Sequence, residues 1–401
     1  MRAAAEPVHR LDFGPRRFGP DAQSPHTAGK IASGSWRPEV IAPGITGMPR
    51  PLTIFWQTRK SSFIKWQWHG DADTFCPPIW ADLATGSGPC GLGCRYCFLM
   101  LTFREMRNAW SPVVYDNFDT CKSQTRKFLA ASESRFGKKG HRRRTSMDSI
   151  GLGIDCADSL LLEGVTGHVK RLAPLFASPK TNPLGNPLVL LTKSANAHYL
   201  EEVASIAGAT EKIVVTFSLN PEAVADTWEG KYADGLRMTP PIDARLAAMK
   251  RAQDLGFEVR ARIDPILPIG GWQALYDDFF VQMADLGIRP TQLTLGTYRE
   301  KNAQLDTFRD RWSLPAPEWS PLDEAEGGVV RDGTHFHVTD RAAIYRRVAV
   351  AIESAYRTSP FDPYVSLCKE THEVRRACGM LTAECNCLRS RLAQIAATVA
   401  R

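Results

Sequence analysis

The stretch Ala84-Thr85-Gly86-Ser87-Gly88-Pro89-Cys90-Gly91-Leu92-Gly93-Cys94-Arg95-Tyr96-Cys97-Phe98 sets three cysteines in a C-x3-C-x2-C spacing. Chance placement of 10 cysteines gives this spacing in roughly 0.6% of chains of this length, so coincidence is a poor explanation. The run Ile79–Thr85 just before it reads as a strand. In α/β sheets, sites form outside the carboxyl ends of strands, and the cysteines stand at such an end.

Outward from this loop, strand and helix signals alternate. Strands are predicted at Ile79–Thr85, Ser149–Asp155, Leu188–Thr192, Ile213–Asn220, Glu258–Ile266 and Gln292–Thr297. Several are rich in Val, Ile and Leu, as buried parallel strands should be. Helices are predicted between them at Thr120–Ser132, Val165–Phe176, Tyr199–Ala207, Ala244–Leu255 and Trp272–Leu286. The expected fold class is therefore α/β, with right-handed crossovers and a parallel sheet. Six units are too few for a complete eight-unit barrel, so a partial (βα)6 TIM-like barrel is expected over 76–300. Residues 1–75 read as an N-terminal extension. It is irregular and rich in Pro, Gly, Arg and Ser to about residue 50, then carries two short strands around Ile54-Phe55-Trp56 and Phe63-Ile64-Lys65-Trp66-Gln67-Trp68, expected to form a hairpin. Residues 301–401 read as a mostly helical C-terminal region, notably Asp340–Tyr356 and Cys387–Thr398.

Composition bounds the function. The chain has 401 residues, of which 43% are hydrophobic and 23% charged, enough for a sizeable core and against wholesale disorder. No apolar run reaches the roughly 18 residues of a membrane helix, and Met1 to Pro15 lacks a secretory apolar stretch. A cytoplasmic location without membrane contact is expected. There, cysteines serve metals or catalysis more often than disulfides. The net charge of +7 is compatible with an acidic partner such as nucleic acid. The basic run Lys138-Lys139-Gly140-His141-Arg142-Arg143-Arg144 is either a solvated loop or a phosphate-contacting one.

Three thiolates suit three irons of a four-iron cube, and Gly91 and Gly93 let the backbone wrap closely. The fourth iron is left open to a substrate, and the amino and carboxylate groups of S-adenosylmethionine fit it. A zinc site with a remote fourth ligand, in a non-enzymatic DNA-binding protein, is the alternative. A second group, Cys368, Cys378, Cys385 and Cys387, falls within 20 residues. It suits an auxiliary iron–sulfur cluster, a zinc ion, or no metal at all, with Cys368 packed in the core.

The cysteine loop, with an aromatic residue before its last cysteine, resembles the radical S-adenosylmethionine superfamily. The wider pattern resembles the spore photoproduct lyase and DNA repair photolyase-like family. It runs from Ala84-Thr85-Gly86 to Tyr96-Cys97-Phe98-Leu99, then Cys156 through Thr166-Gly167, Leu191-Thr192-Lys193 and Phe217-Ser218-Leu219-Asn220. It continues through Asp243-Ala244-Arg245, Pro265 and Gly271-Trp272, with an echo at Leu367-Cys368-Lys369-Glu370. The resemblance implies a [4Fe-4S] cluster on Cys90, Cys94 and Cys97 that cleaves S-adenosylmethionine reductively to a 5′-deoxyadenosyl radical. It implies a DNA partner whose thymine-dimer lesion is split by hydrogen abstraction, and an electron donor such as flavodoxin or ferredoxin. Cys156 falls at the position of the hydrogen-donating cysteine, the other reading being an inert core thiol. Tyr96 falls at one of two relay tyrosines. Lys193 and Ser218 match positions near bound S-adenosylmethionine, with Asp158 and Asn220 on the same rim.

Three features depart from the family. Phe98 stands where the second tyrosine would be and has no O–H. Ser87-Gly88-Pro89 lengthens the approach to Cys90, and the basic run looks like an insertion. They leave room for a radical enzyme acting on a peptide, RNA or small molecule with an auxiliary cluster.

Overall fold

The computed structural model describes residues 25–68, 79–97, 111–131, 133–136, 140–143, 149–153, 157–232, 234–300, 334–359 and 361–380. In chain order its strands are β1 (Arg37–Ile41), β2 (Leu52–Gln57), β3 (Ile64–Trp68), β4 (Ile79–Leu83), β5 (Gly86–Ser87), β6 (Val113–Tyr115), β7 (Glu133–Phe136), β8 (Gly140–Arg143), β9 (Ile150–Leu152), β10 (Leu188–Thr192), β11 (Ile213–Ser218), β12 (Glu258–Ile266), β13 (Gln292–Thr297), β14 (Arg299–Glu300), β15 (Thr334–His335) and β16 (Tyr364–Leu367). The helices used below are α1 (Pro25–Ala32), α2 (Pro43–Thr46), α3 (Phe118–Ala130), α4 (Glu163–Thr166), α5 (His168–Ala177), α6 (Leu200–Ala204), α7 (Glu222–Trp228), α8 (Ile242–Asp254), α9 (Trp272–Asp285), α10 (Val338–Tyr356) and α11 (His372–Cys378).

The main sheet has eight strands in the order β16-β13-β12-β11-β10-β9-β4-β3. Every neighbouring pair is parallel except β3 with β4. All six predicted strands lie in this sheet. Crossover helices separate successive parallel strands, as the chain alternation requires. Helix α8 packs on β11 and β12, and α9 packs against α10.

The two faces of the sheet differ in kind. In-register neighbours on parallel strands point to the same side. One face carries Val215, Phe217, Val259, Ala261, Ile263, Leu293 and Leu295, all fully buried and apolar. The other is polar. One row crosses it as Thr216, Arg260, Gln292 and Tyr364, and the next as Ser218, Arg262, Thr294 and Ser366. These groups satisfy one another: Gln292 Nε2 donates to Ser366 Oγ at 2.8 Å, and Arg260 Nε to Glu258 Oε1 at 2.7 Å. Burial without such partners would cost each polar group dearly.

At the carboxyl end of β12 the polar row ends on Asp264. Its carboxylate accepts from Arg262 Nη2 at 2.7 Å and from Arg299 Nη2 at 3.0 Å. A Cβ on Gly296 would stand 2.5 Å from this carboxylate, so glycine is required there.

The described part of the N-terminal segment, residues 25–68, is more regular than its composition suggests. Strands β1 and β2 pair antiparallel, β2 pairs parallel with β6, and β6 pairs with β5, giving a four-stranded sheet. The expected hairpin of β2 with β3 does not form: β2 joins this sheet and β3 joins the main one. The turn between them is tied instead to α3 and the residue before it, where Asn117 Oδ1 accepts from Arg59 N and Gln124 Oε1 from Phe63 N. The region read as helical also supplies β16, which pairs parallel with β13. Part of the basic run is β8, paired antiparallel with β7. No helix among the described residues is long and apolar enough to cross a membrane.

Asp264 generates a prediction. Burial alone would raise its pKa, but Arg299 and Arg262 override this and hold it well below the usual carboxylate range. Its side chain is 8% exposed against 18% for Arg262 and 16% for Arg299. Asp264→Asn should therefore cost roughly 2–3 kcal/mol at neutral pH, less than a fully buried pair because the arginines keep some water. A carboxylate with a depressed folded pKa stabilises fully above its unfolded pKa, and that contribution is lost as pH falls towards the folded value. The difference in unfolding temperature between wild type and variant should narrow from about pH 7 to about pH 3. A pH-independent difference would contradict the assignment.

Candidate active site

The cysteine loop leaves β5 and turns over Gly91 and Gly93, both at positive φ (93° and 62°). It docks on the carboxyl end of α7. Arg95 N donates to Trp228 O at 2.9 Å, and Arg95 Nη1 to Thr227 O at 3.1 Å. The approach is so close at Gly230 that a Cβ there would lie 2.2 Å from Leu92 O. Cys97 N closes the last turn on Cys94 O at 3.0 Å.

Cys94 is buried, while Cys90 and Cys97 are partly so. Burial pushes the Cys90 thiol well up, and the nearby Cys94, Cys97 and Asp158 push it further. Cys94 is pushed up to about 12, chiefly by burial, with Lys193 opposing. Three soft sulfur donors in one loop can hold a metal cluster, and thiolates bound to metal escape this cost. Among the described residues, no three His, Cys, Asp or Glu side chains gather closely enough to hold a single metal ion.

Beside the loop lies a carboxylate that the sequence pattern did not single out. Glu229 follows α7 and is fully buried. Its Oε1 accepts from Arg245 Nη1 at 2.9 Å and from the Tyr96 hydroxyl at 3.3 Å. Its Oε2 accepts from Arg245 Nη2 and Thr239 Oγ1. Lys193 Nζ stands 3.4 Å from Oε1. Burial would raise the Glu229 pKa, but Arg245 and then Lys193 bring it well below the ordinary value. Arg245 comes from α8 and is itself fully buried, and desolvation of its guanidinium is outweighed by Glu229.

Lys193 and Ser218 end adjacent strands, β10 and β11, and meet: Lys193 Nζ donates to Ser218 Oγ at 2.8 Å. Lys193 Nζ also lies 5.4 Å from the Tyr96 ring centre, within cation–π reach. Lys193, Ser218 and Tyr96 thus stand together beside Cys94. Asn220 does not join them. It is buried, its Nδ2 donates to Pro265 O at 3.2 Å, and its Oδ1 accepts from Tyr276 at 2.9 Å, a link between the ends of β11 and β12. Asp158 locks the neighbouring loop, accepting from Thr192 Oγ1 at 2.7 Å and Lys193 N at 2.6 Å.

Of the second cysteine group, Cys368 ends β16, where its Sγ accepts from Arg262 Nη2 at 3.0 Å. Cys378 ends α11, and its Sγ donates to Arg375 O at 3.5 Å. Cys385 and Cys387 lie outside the described residues, as do Cys156 and Phe98.

No protein-family model matches this chain, and no curated protein does. Solved structures do. Spore photoproduct lyase complexed with dinucleoside spore photoproduct superposes with a TM-score of 0.56 at 17% identity, over 78% of this chain and 80% of that one. A mutant of it with bound AdoMet and dinucleoside spore photoproduct gives 0.56 at 18% identity, over 79% and 82%. At this identity the likeness is one of architecture. In its fold, this chain is similar to spore photoproduct lyase.

Proposed function

We propose that this chain is a radical S-adenosylmethionine enzyme, its parallel strands curled as a partial barrel and its Cys90, Cys94 and Cys97 holding a [4Fe-4S] cluster. The observation that carries this reading is the meeting of the three-cysteine loop with Lys193 and Ser218 around Tyr96 and Glu229. When bound, such a cluster supplies one electron to the sulfonium of S-adenosylmethionine.

The chain's own residues bind and orient. An ammonium has three donors. Ser218 and Glu229 engage Lys193 in the arrangement described, and a further donor remains to meet the carboxylate of S-adenosylmethionine. Glu229 keeps the lysine at the strand ends, and Arg245 offsets its charge. The Tyr96 hydroxyl is directed at Glu229, so a hydrogen relay through Tyr96 requires it to leave that partner. Phe98 cannot extend the relay. Cys156 is the hydrogen-returning thiol in this reading.

For the substrate we propose a thymine-dimer lesion in DNA, split by carbon–carbon cleavage. This rests on the architectural likeness to spore photoproduct lyase and on the net charge of +7. A lesion must leave the base stack to reach strand ends.

Four outcomes test the proposal. Protein reconstituted with iron and sulfide without oxygen, then given S-adenosylmethionine and a reductant, should release 5′-deoxyadenosine, and Cys94→Ala should release none above background. Added irradiated DNA should then lose its dimer lesions; intact lesions beside sustained 5′-deoxyadenosine release would retain the radical chemistry and reject this substrate. Gly230→Ala should lower the iron bound per chain by displacing the loop at Leu92, whereas Gly44→Ala, with nothing within 4 Å, should leave it unchanged. Equal iron content in both would contradict the docking argument. Glu229→Gln should lower stability by about 3–5 kcal/mol by leaving buried Arg245 without its counter-charge, read by denaturant unfolding; a loss below about 1 kcal/mol would contradict the pairing.

A further inference from the structure

Away from the strand ends, a cleft of about 480 Å³ opens between the four-stranded sheet and the segment α4–α5. That volume falls within the roughly 300–1,000 Å³ of small-molecule sites. Trp56, Tyr115 and Phe118 give it aromatic walls, and Arg37 and Arg171 stand along it. Phe118 is already covered: the His168 ring stacks on it at 4.3 Å and 17°, and the Arg171 guanidinium lies 4.3 Å from its centre. Trp56 is half-buried, its indole N–H donating to Glu39.

Two polar side chains in this cleft have work left to do. Tyr115 and His168 are each only 8% exposed, and both line it. Among the described residues no hydrogen bond joins the Tyr115 hydroxyl or the His168 imidazole to another protein group, and neither is among the buried atoms left without a partner, so both reach the water of the cleft. A ligand seated there displaces that water and must offer partners of its own, or both groups are left unsatisfied. Burial, with Arg171 adding to it, brings the His168 pKa down to about 3. The ring is therefore neutral and offers one donor and one acceptor. The Tyr115 hydroxyl offers either.

These features select the chemistry of the occupant. An aliphatic ligand would leave both polar groups unpaired. A flat heteroaromatic ring with donors and acceptors on its edge would satisfy them and use the indole as well. The guanidinium ions add a charge. Arg37 pairs with Asp116, and Arg171 with Asp119 at 3.0 Å, but the arginine side chains are 64% and 40% exposed. Such pairs are weak and exchange readily for a phosphate.

We propose that this cleft binds one nucleotide, its base against Trp56 and within reach of Tyr115 and His168, its phosphate at Arg37 or Arg171. The site uses none of the cysteine loop or the strand-end lysine, so it stands apart from the radical chemistry. It is nevertheless joined to that region, because Tyr115 N donates to Thr85 O on the approach to the cysteines.

The test uses the full chain and two probes: a fluorescein-labelled single-stranded deoxythymidine oligomer, and thymidine 5′-monophosphate as competitor. Anisotropy should report binding of the oligomer that weakens as salt rises. Tyr115→Phe and His168→Phe keep the ring packing and should each weaken it roughly threefold to tenfold, with thermal unfolding unchanged. Arg37→Gln, on an exposed side chain, should weaken it too, and serves if either ring variant unfolds. Competition by the monophosphate would assign the site to nucleotides as such; binding of the oligomer alone would assign it to a nucleotide within a strand. Failure of both probes to bind, or wild-type affinity in all three variants, would overturn the proposal. Binding is read without iron or S-adenosylmethionine, so absence of 5′-deoxyadenosine release leaves this result intact.

Discussion

One buried carboxylate ties the halves of the candidate site together. Glu229 is fully excluded from water, yet it carries charge because Arg245 and Lys193 face it and Thr239 and Tyr96 donate to it. Its partners come from four places in the chain: the cysteine loop, the end of β10, Thr239 ahead of α8, and α8 itself. Removing the charge would leave a buried guanidinium alone and the lysine free to swing into solvent. The position of Lys193 relative to Cys94 thus follows from the need to neutralise one carboxylate in a low-dielectric interior. The cysteine loop is held independently at Gly230, where only a missing side chain allows the backbones to meet.

The same logic extends across the sheet. Its apolar face is a conventional core against helices. Its polar face is buried too, and stays folded because charges and amides occur there in matched sets: Glu258 with Arg260, Asp264 with Arg262 and Arg299, Gln292 with Ser366. The sets at the carboxyl ends, around Glu229 and around Asp264, keep part of their cations near solvent. A sheet with one polar interior face is suited to enclose a charged ligand, and the strand ends are where that face opens.

How much of this was legible in sequence depends on whether the signal was local. Cys90, Cys94 and Cys97 were readable because their spacing lies within one loop, and Lys193 and Ser218 through the family resemblance, each at the end of an expected strand. Glu229 was not, since nothing near it in the chain marks its partners; they are set by a loop that docks from far away. The segment Glu258–Ile266 was legible as a strand, but parallel strands are expected to be apolar on both faces, and that Arg260 and Arg262 lie in polar rows crossing one face emerges only from the register. Strand β16 escaped notice because it is four residues long, follows Pro363, and gains its place by pairing with β13. Strand β1 lies at a sheet edge with four of its five residues exposed, so it carries no periodic pattern. Of the second cysteine group, Cys368 and Cys378 make their hydrogen bonds at separate elements, and Cys385 and Cys387 lie outside the described residues.

The central claim is that three cysteines hold an iron cube and leave one corner to S-adenosylmethionine. Mössbauer spectroscopy of protein reconstituted with isotopically enriched iron addresses it directly. The account predicts a four-iron signal in which one iron alone changes its isomer shift when S-adenosylmethionine is added. A spectrum that S-adenosylmethionine leaves unchanged, or a loop that takes up zinc in place of iron, would contradict it.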